Sequence, residues 1–207
     1  MTFAREPRIQ HVPINELRPT QITVGMREVA AKRARWRAHA NDKKAEFLGR
    51  HMIPVVLGPR EKHYLIDHHH LARALYDEKV EEVAVTVVAD LSKLERDAFW
   101  VYLDNRCLTH LYDANGVRRD HDHLPKQVSG LVDDPYRSLA GELRRAGGFA
   151  KDTTPFSEFL WADFLRRRVK RKQIEDAPQD ALSEAIRLAK SPEANYLPGW
   201  CGPFVEA

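Results

Sequence analysis

The run Val83-Ala84-Val85-Thr86-Val87-Val88 narrows the choice of fold more than any other segment. Valine and threonine branch at Cβ, which restricts them in a helix but suits them to a pleated surface. The run has no polar alternation, so it predicts a strand buried on both faces, and such a strand needs structure layered on either side of it. Shorter apolar runs supply partners. Val12 and Ile14 alternate before Pro19, Ile53-Pro54 leads into Val55-Val56-Leu57, and His63-Tyr64-Leu65-Ile66 follows the Gly58-Pro59 turn. Strands at 12–14, 55–57, 64–66 and 83–88 are expected to make one mixed sheet.

The segments between the strands read as helices. Val29 to His39 carries Lys32, Arg35 and His39 on one face, and Asp42 to Leu48 stops at Gly49. Leu71, Ala72 and Leu75 recur at helical spacing after Asp67. Ser92 and Glu95 read as a capping box that opens a helix through Phe99 and Leu103 to Asn105. Beyond residue 113 only helices are expected: Pro135 to Arg145 ending at Gly147-Gly148, one capped by Thr154-Pro155, and 178–190. Within the second of these, Phe156, Phe159, Leu160 and Phe164 form a core stripe, leaving Trp161 and Asp163 as candidates for a pocket wall. The class is therefore α/β (α+β): a small mixed sheet over residues 1–112, with a helical extension over 113–207 packed on it.

Composition excludes several classes. Hydrophobic residues make up 43% and charged residues 30%, which rules out a disordered or collagen-like chain. The longest apolar stretch, Val83 to Ala89, falls far short of the roughly 20 residues a membrane helix needs. The start, MTFAREPRIQ, has no apolar signal region, and Cys107 and Cys201 are the only cysteines, so a cytoplasmic location is expected. The net charge of +3 is unevenly spread. Residues 27–50 hold eight Lys/Arg against three acids, and residues 166–172 hold six with none. Such runs suit a polyphosphate partner, though charge runs more often simply face water.

Chemistry concentrates at Asp67-His68-His69-His70, where an apolar run meets a helix. A helix start presents free N–H groups and partial positive charge, so it can seat a phosphate. His68, His69 and His70 would add donors, Arg73 or Lys32 a cation, and Asp67 would cap the helix and orient a hydroxyl or Mg2+. The plainer alternative makes Asp67 only a cap and the histidines only packing. A dedicated metal site is disfavoured, because neighbours on a helix point about 100° apart and neither HExxH nor CxxC is present. His121-Asp122-His123 is the only other cluster of metal-ligand type. Cys107, beside Arg106 and His110, reads as an ordinary thiol.

Residues 45–75 (AEFLGRHMIPVVLGPREKHYLIDHHHLARAL) resemble the core of the ParB/sulfiredoxin superfamily, in which an I-x-P-V-x-V strand, a second strand and a G-x-x-R motif open a phosphate-binding helix. His68 and Leu71 stand at the Gly and Arg of that motif. Asp67, His69 and His70 also coincide with the D-G-H-H-R of the free-serine kinase branch, and Gln21 of Leu17-Arg18-Pro19-Thr20-Gln21 stands where that branch has a carboxylate. Together with Asp134-Pro135-Tyr136-Arg137 and the helix EFLWADFL, the pattern is similar to the bacterial group labelled ParB-like nucleases over about residues 10–170. The residues and the resemblance together put forward Asp67, His69 and His70 as catalytic, and Thr20, Gln21, Lys32, His68 and Arg73 as ligand- or phosphate-binding, Lys32 and Arg73 by their charge and not by the resemblance. Nucleotide with Mg2+ is the implied cofactor, with no resident metal.

Three readings compete: a nucleotide-dependent phosphotransferase or phosphohydrolase, a DNA-binding or nuclease-like protein with a basic surface, and a ligand-binding domain without catalysis. The expected partners are a small phosphorylated ligand and non-specific DNA, with no membrane. The two helices 135–145 and 156–168 are joined by about ten residues, too long for a helix-turn-helix reader.

Overall fold

The computed structural model describes residues 8–38, 47–49 and 51–203. Five strands form one mixed sheet: β1 (Arg8–Pro13), β2 (Arg18–Pro19), β4 (Ile53–Gly58), β5 (Lys62–Leu65) and β6 (Glu82–Asp90), in the order β1-β6-β4-β5-β2. β6 pairs antiparallel with β1 and parallel with β4, which places the valine run inside the sheet, one strand from its edge. Burial on both faces holds only for Val83 to Val85, since Val88 is 54% exposed. β4 shows how the layers arise. Val55 points into a core with Leu65, Val83 and Val85, and its neighbour Val56 points the other way, toward Phe99 and Leu103. The first face is covered by α1 (Met26–Arg37) and α2 (His69–Asp77), and the second by α3 (Arg96–Asn105).

A third cluster lies farther along the chain. α4 (Pro135–Arg145), α5 (Ser157–Arg166), α6 (Arg171–Asp176) and α7 (Pro178–Ala189) enclose Leu139, Leu143, Trp161, Phe164, Ile174 and Ala185. Four expectations need correction here. A strand does occur after residue 113: β7 (Val132–Asp133) pairs in parallel with β3 (Thr23–Val24) in a separate two-stranded sheet. It forms because Val132 and Asp134 donate backbone hydrogen bonds to the carbonyls of Ile22 and Val24, and this seats the start of α4 beside α1. Ser92 does not cap α3; it bonds Asp90, and Glu95 occupies the cap position. Phe156, not Thr154, precedes α5, in the left-handed conformation. The stripe on α5 holds only in part: Phe164 is buried as expected, and Phe156 and Phe159 are half-buried. Trp161 is fully buried, stacked on Phe149 and donating to the Pro198 carbonyl, whereas Leu160 is 45% exposed. The tail supplies that second wall, which no periodicity within the helix could announce. The expected helix from Asp42 to Leu48 and residue His39 lie outside the described residues, apart from a helical turn at 47–49.

α4 docks on α1 through a close backbone approach at Gly25, the residue that starts α1. A Cβ there would sit 2.6 Å from Ser138 Oγ and 2.7 Å from Ser138 N. Nearby, Arg27 makes two 2.9 Å bonds to Glu142. Gly25→Ala is therefore expected to destabilise the fold by roughly 1–3 kcal/mol, the usual penalty of overpacking. Urea unfolding of the two proteins measures it, and an unchanged midpoint would mean that the helices part without loss.

Candidate functional site

β5 ends at Leu65, and two residues later the chain turns into α2. His68 makes the turn with φ 62°, in the left-handed region that favours glycine. This accounts physically for the Gly that the ParB-type motif carries at the same place. Asp67 does not cap the helix as expected. Its Oδ1 accepts from the adjacent His68 N–H at 2.6 Å, and His68 itself is the cap residue, without a side-chain bond.

The next two histidines fasten the segment that precedes α1. His69 is 4% exposed and its Nε2 accepts the Thr20 N–H at 3.3 Å. His70 Nε2 accepts the Gly25 N–H at 3.0 Å. Thr20 completes the clamp by donating its hydroxyl to the Leu65 carbonyl at 2.8 Å.

Over this turn lies a cleft of about 620 Å³, bounded by the start of α2, α4, the start of α5 and residues 107–108. Gln21, Asp67, His69 and His70 line it together. Lys32 and Arg73 do not. Arg73 is committed elsewhere, to Asp77 at 3.0 Å and to the carbonyls of Ser129 and Leu131, so it cannot supply the expected cation. Thr20 is buried behind the wall, and His68 is exposed beside it.

The cations of the cleft come instead from Arg137, Arg144 and Lys151. Arg137 is 6% exposed, lies over the Phe159 ring at 4.3 Å and bonds Glu158 at 2.9 Å, but its Nε has no hydrogen-bond partner. Arg144 Nε lies 2.8 Å from the same carboxylate without hydrogen-bond alignment. One carboxylate therefore faces two guanidiniums. Burial pushes the Glu158 carboxyl up, and the charges of Arg137 and Arg144 more than offset this, holding it below the ordinary range. No local pattern in the sequence gives Arg137 or Glu158 a role. Only the fold brings them face to face.

Among the described residues, most arginines of the basic runs are paired. Arg33 and Arg37 share Glu78, Arg166 pairs with Asp134, Arg167 with Asp163, Arg168 with Glu193 and Arg171 with Glu175. His121 stacks on Trp100 and bonds Asp104, and no group of three metal-ligating side chains occurs among the described residues. No helix among them is long and apolar enough to cross a membrane.

Comparison with known proteins places this geometry among relatives. Residues 10–167 match a family model described as "Putative ParB-like nuclease". The crystal structure of protein Atu1540 from Agrobacterium tumefaciens superposes with a TM-score of 0.91 at 54% identity, over 97% of this chain and 99% of that one. No curated protein matches. The family match bears out the ParB-type resemblance; the kinase-like reading of the Asp67 motif is no part of it.

The histidines make stability depend on pH. Burial, reinforced by Arg137, pushes His70 down to about 3, and burial with Arg137 and Arg166 does the same to His110. Burial also holds His69 well below the ordinary value. In the unfolded chain a histidine takes up its proton near pH 6.5, while these remain neutral in the fold. Their contribution is thus intact above about pH 6.5 and lost as pH falls toward 3, at roughly 1.4 kcal/mol per unit for each histidine. Denaturant unfolding between pH 7 and 4.5 should show this loss, and His70→Gln, which keeps an acceptor, should show a shallower one. An equal slope in the two proteins would mean that His70 takes up its proton within the fold.

Proposed function

This chain belongs to the ParB-like nuclease family, and on that premise we propose that it binds a phosphate-bearing ligand in the cleft over the α2 start and acts on it as a phosphohydrolase or phosphotransferase. The observation that carries this reading is Arg137: a buried guanidinium at the cleft wall, with one N–H unpartnered and one carboxylate shared with Arg144. Two guanidiniums on one carboxylate leave the cleft wall short of negative charge, which a ligand phosphate would supply. Lys151 has no ion pair among the described residues and would add a mobile charge at the rim. The first-turn N–H groups of α2 point the same way in charge.

Asp67 is the carboxylate placed to act. It is exposed, lines the cleft, and makes one local bond to His68. In hydrolysis it would accept a proton from water as the water oxygen bonds phosphorus, while the bond to the leaving oxygen breaks and that oxygen takes a proton from solvent. For His69 and His70 we propose a positioning role, since their Nε2 lone pairs hold Thr20 and Gly25. Gln21 donates to the Thr23 carbonyl at 2.7 Å, so its amide suits a place where a carboxylate could not donate. Mg2+ entering with a nucleotide would find the carboxylates of Asp67 and Asp152, a donor set that fits an ion held mainly by phosphate.

The test is a thermal-shift and phosphate-release screen of nucleotides and inorganic pyrophosphate, with and without Mg2+. A bound ligand should raise the melting temperature. Arg137→Lys keeps the charge but loses the planar fork, and should weaken binding about tenfold. Asp67→Asn should abolish turnover and leave the ligand-induced shift in place. Binding without turnover would leave a ligand-binding domain, and the absence of both would end the proposal.

A further inference from the structure

The second cleft of interest shares no residue with the first. It has a volume of about 360 Å³ and lies between β2, the β4–β5 turn, the start of α3 and residues 121–126. Five cations line it: Arg18, Arg60, Lys62, Arg96 and Lys126. Asp122 is the one acidic residue on its wall, and it is already paired with Arg96. Arg18, Arg60, Lys62 and Lys126 make no ion pair among the described residues, in contrast to the arginines of the two basic runs. Arg18, ahead of burial, Arg60 and Lys126, holds the Lys62 ammonium below its ordinary pKa, so these charges repel one another in the free protein.

The floor of the cleft is aromatic. Tyr64, Phe99, Trp100 and His121 line it, with Trp100 stacked on His121 at 4.7 Å and edge-on to Tyr64 at 5.4 Å. The turn that carries Arg60 is strained. Arg60 and Glu61 both have positive φ, at 62° and 57°, in the left-handed region that side chains rarely adopt. Backbone strain of this sort, held in place by the surrounding fold, gathers at functional sites.

We propose that this cleft binds single-stranded nucleic acid, gripping the phosphodiester backbone with its unpaired cations and stacking bases on its aromatic lining. Arginine forks match phosphate oxygens, and rings accept any base, so the site should tolerate any sequence. The five cations come from four separate segments and ring an aromatic floor, which suits a strand running through the cleft better than one compact phosphate. This site does not depend on the first cleft, and each proposal can fail alone.

The experiment is fluorescence anisotropy of the full chain with labelled single-stranded DNA and RNA 15-mers, unlabelled inorganic polyphosphate, poly-glutamate and a duplex being the competitors. Four neutralised phosphates predict a slope near −3 in log K against log salt, at about −0.7 each. Arg60→Glu and Lys126→Glu, both on exposed residues, should each weaken binding at least tenfold with an unchanged melting temperature. Trp100→Leu should weaken oligonucleotide binding severalfold and leave polyphosphate binding alone. Asp67→Asn and Arg137→Lys should have no effect on the strand. Failure to bind at 50 mM salt, or binding that neither charge reversal weakens, would overturn the proposal. Polyphosphate or poly-glutamate competing as well as the strand would reduce the site to a general polyanion surface. A duplex binding more tightly would overturn the single-strand assignment.

Discussion

A carboxylate that is 1% exposed has to be paired, and Asp134 is paired on every side. Its Oδ1 caps α4 by accepting from the Tyr136 N–H at 3.0 Å, and its Oδ2 takes Arg166 at 2.5 Å. Its own N–H donates to the Val24 carbonyl at 2.8 Å. One residue thus joins the β3–β7 pair, the head of α4 and the end of α5. Burial pushes its carboxyl up, opposed by Arg166 and by the cap bond, and loss of a partner from such a pair typically costs about 3–5 kcal/mol. Arg137 follows Asp134 by three residues, so the same anchor aims its guanidinium at Glu158 and the cleft.

The row of histidines shows how a motif and its geometry can differ. Three consecutive imidazoles suggest metal or acid–base chemistry. Here one makes a left-handed turn, and the other two accept backbone N–H groups from the segment before α1. That segment contains Thr20, Gln21 and Gly25, and its N–H groups would be unsatisfied without an acceptor. The two neutral rings therefore join the sheet edge to the helical layer and form the wall behind Asp67.

Charge behaves similarly. In the two basic runs conspicuous in the sequence, Arg33, Arg37, Arg166, Arg167, Arg168 and Arg171 meet Glu78, Asp134, Asp163, Glu193 and Glu175 in the fold, which cancels much of the charge of the described residues there. Arg18, Arg60, Lys62, Arg96 and Lys126 are scattered over more than a hundred residues, and folding gathers them around one cleft. Local charge density in space, not along the chain, sets the potential a ligand meets.

Strands at 55–57, 64–66 and 83–88, the mixed sheet and the stop of α4 at Gly147 were legible because they rest on local rules: β-branched runs, apolar spacing and a glycine with φ 79°. The location of Asp67, His69, His70 and Gln21 on one cleft was legible from the motif as well. What only the tertiary structure decided is everything that depends on a distant partner. Trp161 is core because residues 149 and 198 cover it, Arg73 is spent on the 129–131 loop, and Arg137 faces Glu158 across two helices. A sequence carries periodicity and capping within a few residues of each position, but which remote groups meet is settled only by packing, where every buried polar group must find its partner.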